Sequence, residues 1–465
     1  MIQGALQSGF TEFDGQGKVL LNVAFSYPVF SYRVLKIPTT SISLTLLRQT
    51  CGLPFPTTSA PLPIQPAPLN PINDSSYHSI SPVRVVDTRS GSNNAYAGMT
   101  LNSGSTLSVS LAKFIPSTAT GVYLNVTVTN TSASSYLTAY DSSESKPNTS
   151  ALNWIAGSTK ANLIEISLSQ SQTVELFNST GNVDLVIDLE GYIGPSLPGG
   201  GLLIPLTPTR ICDTRSVATA NQCSNIVVGP GSTVQVKILG YGGVPLQGVQ
   251  AVSLNITATD ESSQGYLSVV ATSNPITSNP ITSNPSTSNL NWSADDTVAN
   301  HVICQVSPTG YVAISNAIGT IDLIVDLDGY FTDSSNQLSN GLVFTPIVPV
   351  RVVDSRVGTV YNPNVAQIAP NSSISFNATN AFNIDSADSV LATNITVVSY
   401  GGSGYLVTNS GGAPMTDTST LNYDSNNPID ANCALVKLGS NGEITVTNFG
   451  NSSVDIIIDV TGWYS

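Results

Sequence analysis

Four landmarks recur in the same order three times along this 465-residue chain, and that repetition limits the fold more than any other feature. The first reads Pro82-Val-Arg84-Val-Val-Asp87-Thr-Arg89, then Pro208-Thr-Arg210-Ile-Cys-Asp213-Thr-Arg215, then Pro349-Val-Arg351-Val-Val-Asp354-Ser-Arg356. The second is Leu124-Asn125-Val-Thr127, Leu254-Asn255-Ile-Thr257 and Thr393-Asn394-Ile-Thr396, each followed by a Tyr-Leu pair. The third is Leu-Asn153-Trp154, Leu-Asn291-Trp292 and Leu-Asn422-Tyr423, with an Ala-Asn pair (Asn162, Asn300, Asn432) further on. The fourth closes each copy with Asp184 to Tyr192, Asp322 to Tyr330 and Asp455 to Trp463, in each case a run of the form Asp-x-x-x-Asp-x-x-Gly-aromatic.

Between landmarks lie runs of Val, Ile, Thr and Tyr broken by Gly, Asn, Ser and Pro, which is strand-and-turn text. No long segment has helical period. About eight short strands in roughly 115 residues predict a two-sheet module. The fold class expected is therefore all-β, with three tandem jelly-roll-like β-sandwich repeats over 79–195, 202–332 and 341–465. In the closing run Leu185, Ile187 and Leu189 share one face, while Asp184, Val186 and Asp188 share the other. That pattern predicts one apolar face and one that presents two carboxylates about 13–14 Å apart.

The N-terminal part does not repeat. Residues 1–52 read as a strand-rich attachment or assembly segment, with strand-like runs at 18–25, 32–37 and 41–47. Residues 53–78 form a Pro-rich linker, extended because each proline fixes its own φ. A Ser-Asn-Pro slippage repeat over 273–285 predicts an exposed loop in the second copy, since Pro cannot donate to a sheet ladder.

Composition excludes several classes. Only 9% of residues are charged, against about 25% in an ordinary domain. Ser, Thr, Asn and Gly fill the gap, as on the exposed strands of secreted or surface β proteins. The net charge of −14 excludes nucleic acid and anionic membrane surfaces as partners. No apolar run is long enough to span a bilayer. The opening residues lack a basic then apolar leader, so both a processed secreted protein and a virion component stay open.

Taken together, the landmarks resemble an uncharacterised repeat of secreted proteins from filamentous soil bacteria. That repeat has a Pro-x-Arg-x-x-Asp-Thr-Arg opening, an Asn-Val-Thr strand, a Ser-Asn-Leu-Asn-Trp segment and a closing Val-Asp-Val-x-Gly-Tyr-Phe. The resemblance covers roughly residues 80–465. It implies an exported, surface-associated protein and no defined ligand.

The sharpest polar candidates are Arg84, Asp87 and Arg89 with Asp188; Arg210, Asp213 and Arg215 with Asp326; and Arg351, Asp354 and Arg356 with Asp459. A ligand clamp and a structural brace both suit bidentate guanidinium–carboxylate pairing, and the brace is the reading adopted here. It ties the first strand of a repeat to its last. Trp154, Trp292 and Tyr423 are equivalent aromatics, read either as core or as platforms for stacking on glycans. Cys212 and Cys223 flank one loop of the second repeat and are candidates for a disulfide. Asn148, Asn371 and Asn451 are sequons in loop-like text and are candidates for N-glycosylation.

No cofactor or metal site is expected: there is no Cys/His ligand spacing and no dense Asp cluster. His78 and His301 stand at non-equivalent places and neither adjoins a nucleophile motif, so no enzyme is expected. The expectation is a non-catalytic extracellular structural or adhesive protein on the surface of a cell or virion. It would self-associate, or bind a surface or capsid partner, through the N-terminal segment. A virion surface or fibre protein and a carbohydrate-binding protein with three weak sites are the alternatives.

Overall fold

The computed structural model describes residues 9–13, 19–24 and 75–465, except 196–198, 216–220, 273–286, 334–340, 364, 383 and 385–388. The chain divides into two compact units, Met1–Leu62 and Pro63–Ser465. In the first, β1 (Gly9–Phe13) pairs antiparallel with β2 (Val19–Ala24). The strand expected over 18–25 coincides with β2, whereas β1 was not anticipated. The runs at 32–37 and 41–47, the Pro-rich linker up to residue 74 and the Ser-Asn-Pro insertion lie outside the described residues, whereas residues 75–78, expected as the end of that linker, open the first strand of copy one and pair with its last.

The second unit repeats one plan three times. Copy one comprises β3 (Ser75–Asp87), β4 (Thr106–Ser110), β5 (Gly121–Thr129) and β6 (Ser135–Asp141). It continues with β7 (Leu152–Trp154), β8 (Lys160–Ser167), β9 (Thr173–Asn178) and β10 (Asp184–Pro195). Copy two runs through β11 (Leu203–Asp213), β12 (Thr233–Lys237), β13 (Val249–Thr259) and β14 (Gly265–Ala271). It ends with β15 (Leu290–Trp292), β16 (Val298–Gln305), β17 (Tyr311–Asn316) and β18 (Asp322–Thr332). Copy three has β19 (Phe344–Asp354), β20 (Ser372–Asn377), a single helical turn α1 (Thr379–Phe382) and β21 (Val390–Ser399). It closes with β22 (Gly404–Ser410), β23 (Leu421–Tyr423), β24 (Ile429–Lys437), β25 (Glu443–Gly450) and β26 (Val454–Tyr464).

Each copy makes two antiparallel four-stranded sheets, in copy one β3-β10-β5-β8 and β4-β9-β6-β7, and the other copies follow suit. The two kinds of sheet differ in burial. β9 alternates half-buried and buried residues, as expected where one sheet face meets water. Strands β5 and β8 are buried along almost their whole length, so both faces of their sheet are covered.

The second cover is the other copies. A central apolar cluster gathers Tyr77, Tyr123, Leu163 and Ile193 from copy one with Leu203, Ala251, Ile303 and Phe331 from copy two. Phe344, Val390, Ala392, Cys433 and Tyr464 complete it from copy three. Edge strands β8, β16 and β24 touch one another around this pseudo-threefold axis. Three self-contained sandwiches in tandem are therefore not what forms. Six small sheets close into one body, a six-bladed, propeller-like arrangement with a shared centre, because the inner sheets have a second face, apolar at the axis and polar at the seams, that is buried only against the other copies.

The same burial corrects the reading of the closing strand. Leu185, Ile187 and Leu189 do face the core of their own copy. However, Asp184, Val186 and Asp188 are buried too, Asp188 completely, so the carboxylate face is not displayed to solvent. The glycine of this landmark has a packing reason. A Cβ on Gly191 would stand 2.5 Å from the Tyr77 ring, and one on Gly462 would stand 2.4 Å from Phe344.

Shared burial predicts shared unfolding. Calorimetry of the three-copy body should show one transition, with van't Hoff and calorimetric enthalpies in agreement. Three resolved transitions would contradict the common centre.

Candidate functional site

The four landmarks come together at the seams between copies. Within each inner sheet, strand register sets three of them side by side. Asp188 on the central strand lies opposite Arg84 on one neighbour and Asn125 on the other. Arg210–Asp326–Asn255 and Arg351–Asp459–Asn394 form the equivalent rows.

The guanidinium pairs are bidentate. Arg84 Nε and Nη2 each donate to Asp188 at 2.9 Å. Arg210 reaches Asp326 at 2.9 and 3.2 Å, and Arg351 reaches Asp459 at 2.8 and 2.9 Å. The second arginine folds back locally: Arg89, Arg215 and Arg356 each fork onto Asp87, Asp213 and Asp354. The first and last strands of each copy are thus bridged by the buried pair, while the second pair braces the turn after the first strand.

Each buried aspartate also accepts a backbone N–H from another copy. Ser288 N–H donates to Asp188 at 3.2 Å, Ser419 N–H to Asp326 at 3.3 Å and Ser150 N–H to Asp459 at 2.9 Å. Burial pushes the carboxyls of Asp188, Asp326 and Asp459 above the usual range, although the arginine facing each one pulls the other way. At Asp87, Asp213 and Asp354 burial acts in the same direction, but the forked arginine outweighs it and the carboxyl is lowered.

The asparagines close the ring. Asn162 Nδ2 donates to Asn394 Oδ1, Asn300 Nδ2 to Asn125 Oδ1 and Asn432 Nδ2 to Asn255 Oδ1, each at 2.8 Å. In return Asn300 Oδ1 accepts Leu163 N–H, Asn432 Oδ1 accepts His301 N–H and Asn162 Oδ1 accepts Cys433 N–H, at 3.0, 2.9 and 2.9 Å. Those three amides point outward from sheet-edge strands, where no ladder partner exists. Asn162, Asn300 and Asn432 are wholly buried, and Asn125, Asn255 and Asn394 are buried as well, so the Asn-x-Thr landmark is no glycan acceptor.

Trp154, Trp292 and Tyr423 are also sealed, at 1%, 2% and 2% exposed. Their polar ends are committed inward: Trp154 Nε1–H to Ala133 O, Trp292 Nε1–H to Ser263 O, and the Tyr423 hydroxyl to Asn448 Oδ1. Stacking on a glycan is excluded because no ring face is open. Cys212 and Cys223 form a disulfide. Asn148, Asn371 and Asn451 are all exposed.

Where the copies diverge, the axis becomes polar. Tyr464 Oη–H donates to Glu165 Oε1 at 3.2 Å, and the Tyr123 hydroxyl contacts both partners. Burial holds the Glu165 carboxyl well above its ordinary range. In copy two, Ser253 Oγ lies 2.8 Å from His301 Nε2, and His301 Nδ1 lies 3.5 Å from Asp328 Oδ2. This is the atom order of a Ser–His–Asp relay, assembled from three strands and invisible as a linear motif. Ser253 is fully buried, so no substrate carbonyl can reach it. Burial lowers the His301 pKa, which favours the neutral ring.

Further along, Lys160 of copy one pairs with Asp430 of copy three at 3.3 Å, with both side chains buried. Glu261 of copy two is 1% exposed and neither of its carboxyl oxygens has a partner. Burial pushes this carboxyl up to about 8.

No family model matches the chain, and no curated protein does. Among solved structures, one described as the triple jelly roll fold and turret assembly in an archaeal virus is similar at a TM-score of 0.18 and 11% identity. The match covers 84% of this chain and 90% of that one. The atomic structure of Sulfolobus Turreted Icosahedral Virus gives 0.18 and 12%, over 78% and 85%. The tandem CBM22 domain of Paenibacillus barcinonensis Xyn10C gives 0.16 and 13%, over 56% and 97%. Likeness at this level carries no argument about fold or activity.

Two predictions follow from the seams. Arg210→Ala strands a buried Asp326 and should cost about 3–5 kcal/mol in chemical denaturation. Arg215→Ala should cost less, at most about 1 kcal/mol, because its side chain is partly exposed and Asp213 keeps the Arg210 guanidinium at 3.7 Å and the residue 215 backbone N–H. Equal effects would contradict that difference. The second concerns pH. Glu261 keeps its proton in the folded state up to about 8 but releases it near 4.5 when unfolded. Its contribution to stability is therefore full below pH 4.5 and is lost as pH rises towards 8. Glu261→Gln should flatten that part of the stability–pH curve, and an unchanged slope would refute the assignment.

Proposed function

We propose that this chain is a non-catalytic structural protein of an extracellular or particle surface. Its three copies form a rigid body, and its N-terminal segment makes the attachment. The supporting observation is where the repeated chemistry goes. The buried Arg–Asp pairs and the Asn pairs are committed to closing the ring, which leaves none of these groups at an open catalytic cleft. The relay-like trio Ser253–His301–Asp328 has its hydroxyl sealed from solvent. A charge-poor exterior rich in Ser and Thr suits a displayed β body, and a closed ring exposes fewer sheet edges to unwanted pairing.

The experiment compares the intact chain with a form lacking residues 1–62. Light scattering should show association of the intact chain, while the shortened form stays monomeric with an unchanged melting temperature. Monomers in both cases, without retention on any surface, would contradict attachment through this segment.

A further inference from the structure

Three buried carboxyl groups of the three-copy body have no cation paired with them. Glu165 on β8, Glu190 on β10 and Glu261 just after β13 are 2%, 3% and 1% exposed, and none has an ion-pair partner among the described residues. The same body shows what it supplies to a buried aspartate: Asp188, Asp326 and Asp459 each receive a bidentate guanidinium and a backbone N–H from another copy. The glutamates receive far less. Glu165 Oε2 and both oxygens of Glu261 have no hydrogen-bond partner, and Glu190 accepts from the neutral Asn289 Nδ2 at 3.2 Å. A carboxylate placed so keeps the full cost of losing its water, whereas the neutral acid avoids most of it.

The surroundings offer no relief. Glu165 meets Tyr123 on β5 and Tyr464 on β26, with Tyr77 on β3 and Cys433 on β24 close enough to feel its charge. These are phenols and a thiol, which carry no positive charge in any state, and His301 on β16 is turned to Asp328 instead. Around Glu190 stand Tyr77, Cys304 on β16 and Asp188 of its own strand, whose negative charge adds to the effect of burial. Glu261 has Asp260 and Asp296 near it, with Asp424 and Asp430 of copy three acting on Asp296 in turn. Lys160 of copy one acts on Glu261, but its Nζ is committed to Asp430 at 3.3 Å. Burial accordingly holds Glu165 and Glu190 well above the ordinary range and pushes Glu261 up to about 8. Two of the three bear on contacts between copies: Glu165 meets Tyr464 of copy three, and Glu190 meets Asn289 of copy two.

We propose that closure of the three-copy body is coupled to proton uptake: Glu165, Glu190 and Glu261 are neutral acids in the closed ring, so acid tightens it and rising pH loosens it. Once exposed, each carboxyl ionises near 4.5, so its contribution is full below that pH and is lost as pH rises towards the folded value. His78 and His301 act in the opposite sense, because burial lowers both, and their contribution is complete above 6.5. That of Asp87, Asp213 and Asp354 is complete above 3.8. Between pH 6.5 and about 8 the opposing groups add nothing further and stability falls. This coupling goes beyond the structural role proposed above and stands or falls separately from it.

The test uses the intact protein, with urea unfolding followed by the fluorescence of Trp154, Trp292 and Trp463, its three tryptophans, all within the three-copy body. From pH 6.5 to 7.5 the unfolding constant should rise at least tenfold, which corresponds to one proton or more released on opening. Infrared spectra of the native protein at pH 7 should show the carbonyl stretch of protonated carboxyl groups, and unfolding should abolish it. The combined variant Glu165→Gln, Glu190→Gln, Glu261→Gln should lose most of the rise and most of that band. An unfolding constant that is flat or falls from pH 6.5 to 7.5 overturns the proposal, and so does a native spectrum at pH 7 without the band. A band that persists undiminished in the combined variant overturns the assignment to these three residues. If that variant does not fold, the two measurements on the unaltered chain decide the matter.

Discussion

One buried carboxamide in each copy holds the whole assembly together. Strands β8, β16 and β24 are the edges of their sheets, and their outward N–H groups lie where water cannot reach. An amide buried without a partner costs about as much as a lost hydrogen bond with its desolvation, on the order of 1–3 kcal/mol. Asn162, Asn300 and Asn432 remove that cost reciprocally. Each accepts an edge amide from the preceding copy round the ring and donates to an asparagine of that same copy. Each seam joins two copies, and all three edge amides and all three carboxamides are met only when the third seam closes the ring. A linear string of the same modules would leave one edge amide and one carboxamide unmet at its ends.

Charge serves the same closure. A chain with 15 basic residues has little guanidinium to distribute, and six of those residues stand in the repeated Arg-x-x-Asp-Thr/Ser-Arg element. The arginine facing each buried aspartate neutralises it, and a serine N–H from another copy completes its shell. Such pairs are a poor source of net stability, because desolvation offsets most of the attraction. Their value is geometric. A seam out of register would leave a carboxylate buried and unmatched. At the axis the copies are free to differ, and there they do: Tyr123, Ser253 and Ala392 occupy one equivalent position, and Leu163, His301 and Cys433 another. Polar residues at the centre, Glu165 and His301 among them, fill what three identical apolar side chains could not pack.

Much of this was legible in the residues, and the missing part has a physical reason. The repeat, the strand-rich text and the bidentate partners of Arg84, Arg210 and Arg351 could all be read along the chain. The register itself comes from the structure, in which Arg84, Asp188 and Asn125 fall in one row across the sheet. What could not be read was the destination of the second inner face. Val122, Leu124 and Val126 alternate with Tyr123, Asn125 and Thr127, which looks like a strand with a wet side. That side is covered only once three copies meet, and a periodic pattern within one copy cannot report contacts between copies. The tandem sandwiches were a consequence of that gap. The Ser253–His301–Asp328 trio was missed for a similar reason, as its members sit on three strands with wide spacing.

The claim that closure of the ring rests on edge amides held by carboxamides is tested most directly by native-state hydrogen exchange at three sites. The amides of Leu163, His301 and Cys433 should exchange only through global unfolding, with the same free energy as the surrounding core. Replacing Asn300 by Ala should release the Leu163 amide first and by the largest factor. Fast exchange at these three positions in the unaltered protein, with the sheet interiors still protected, would show that the copies open independently and would contradict the account.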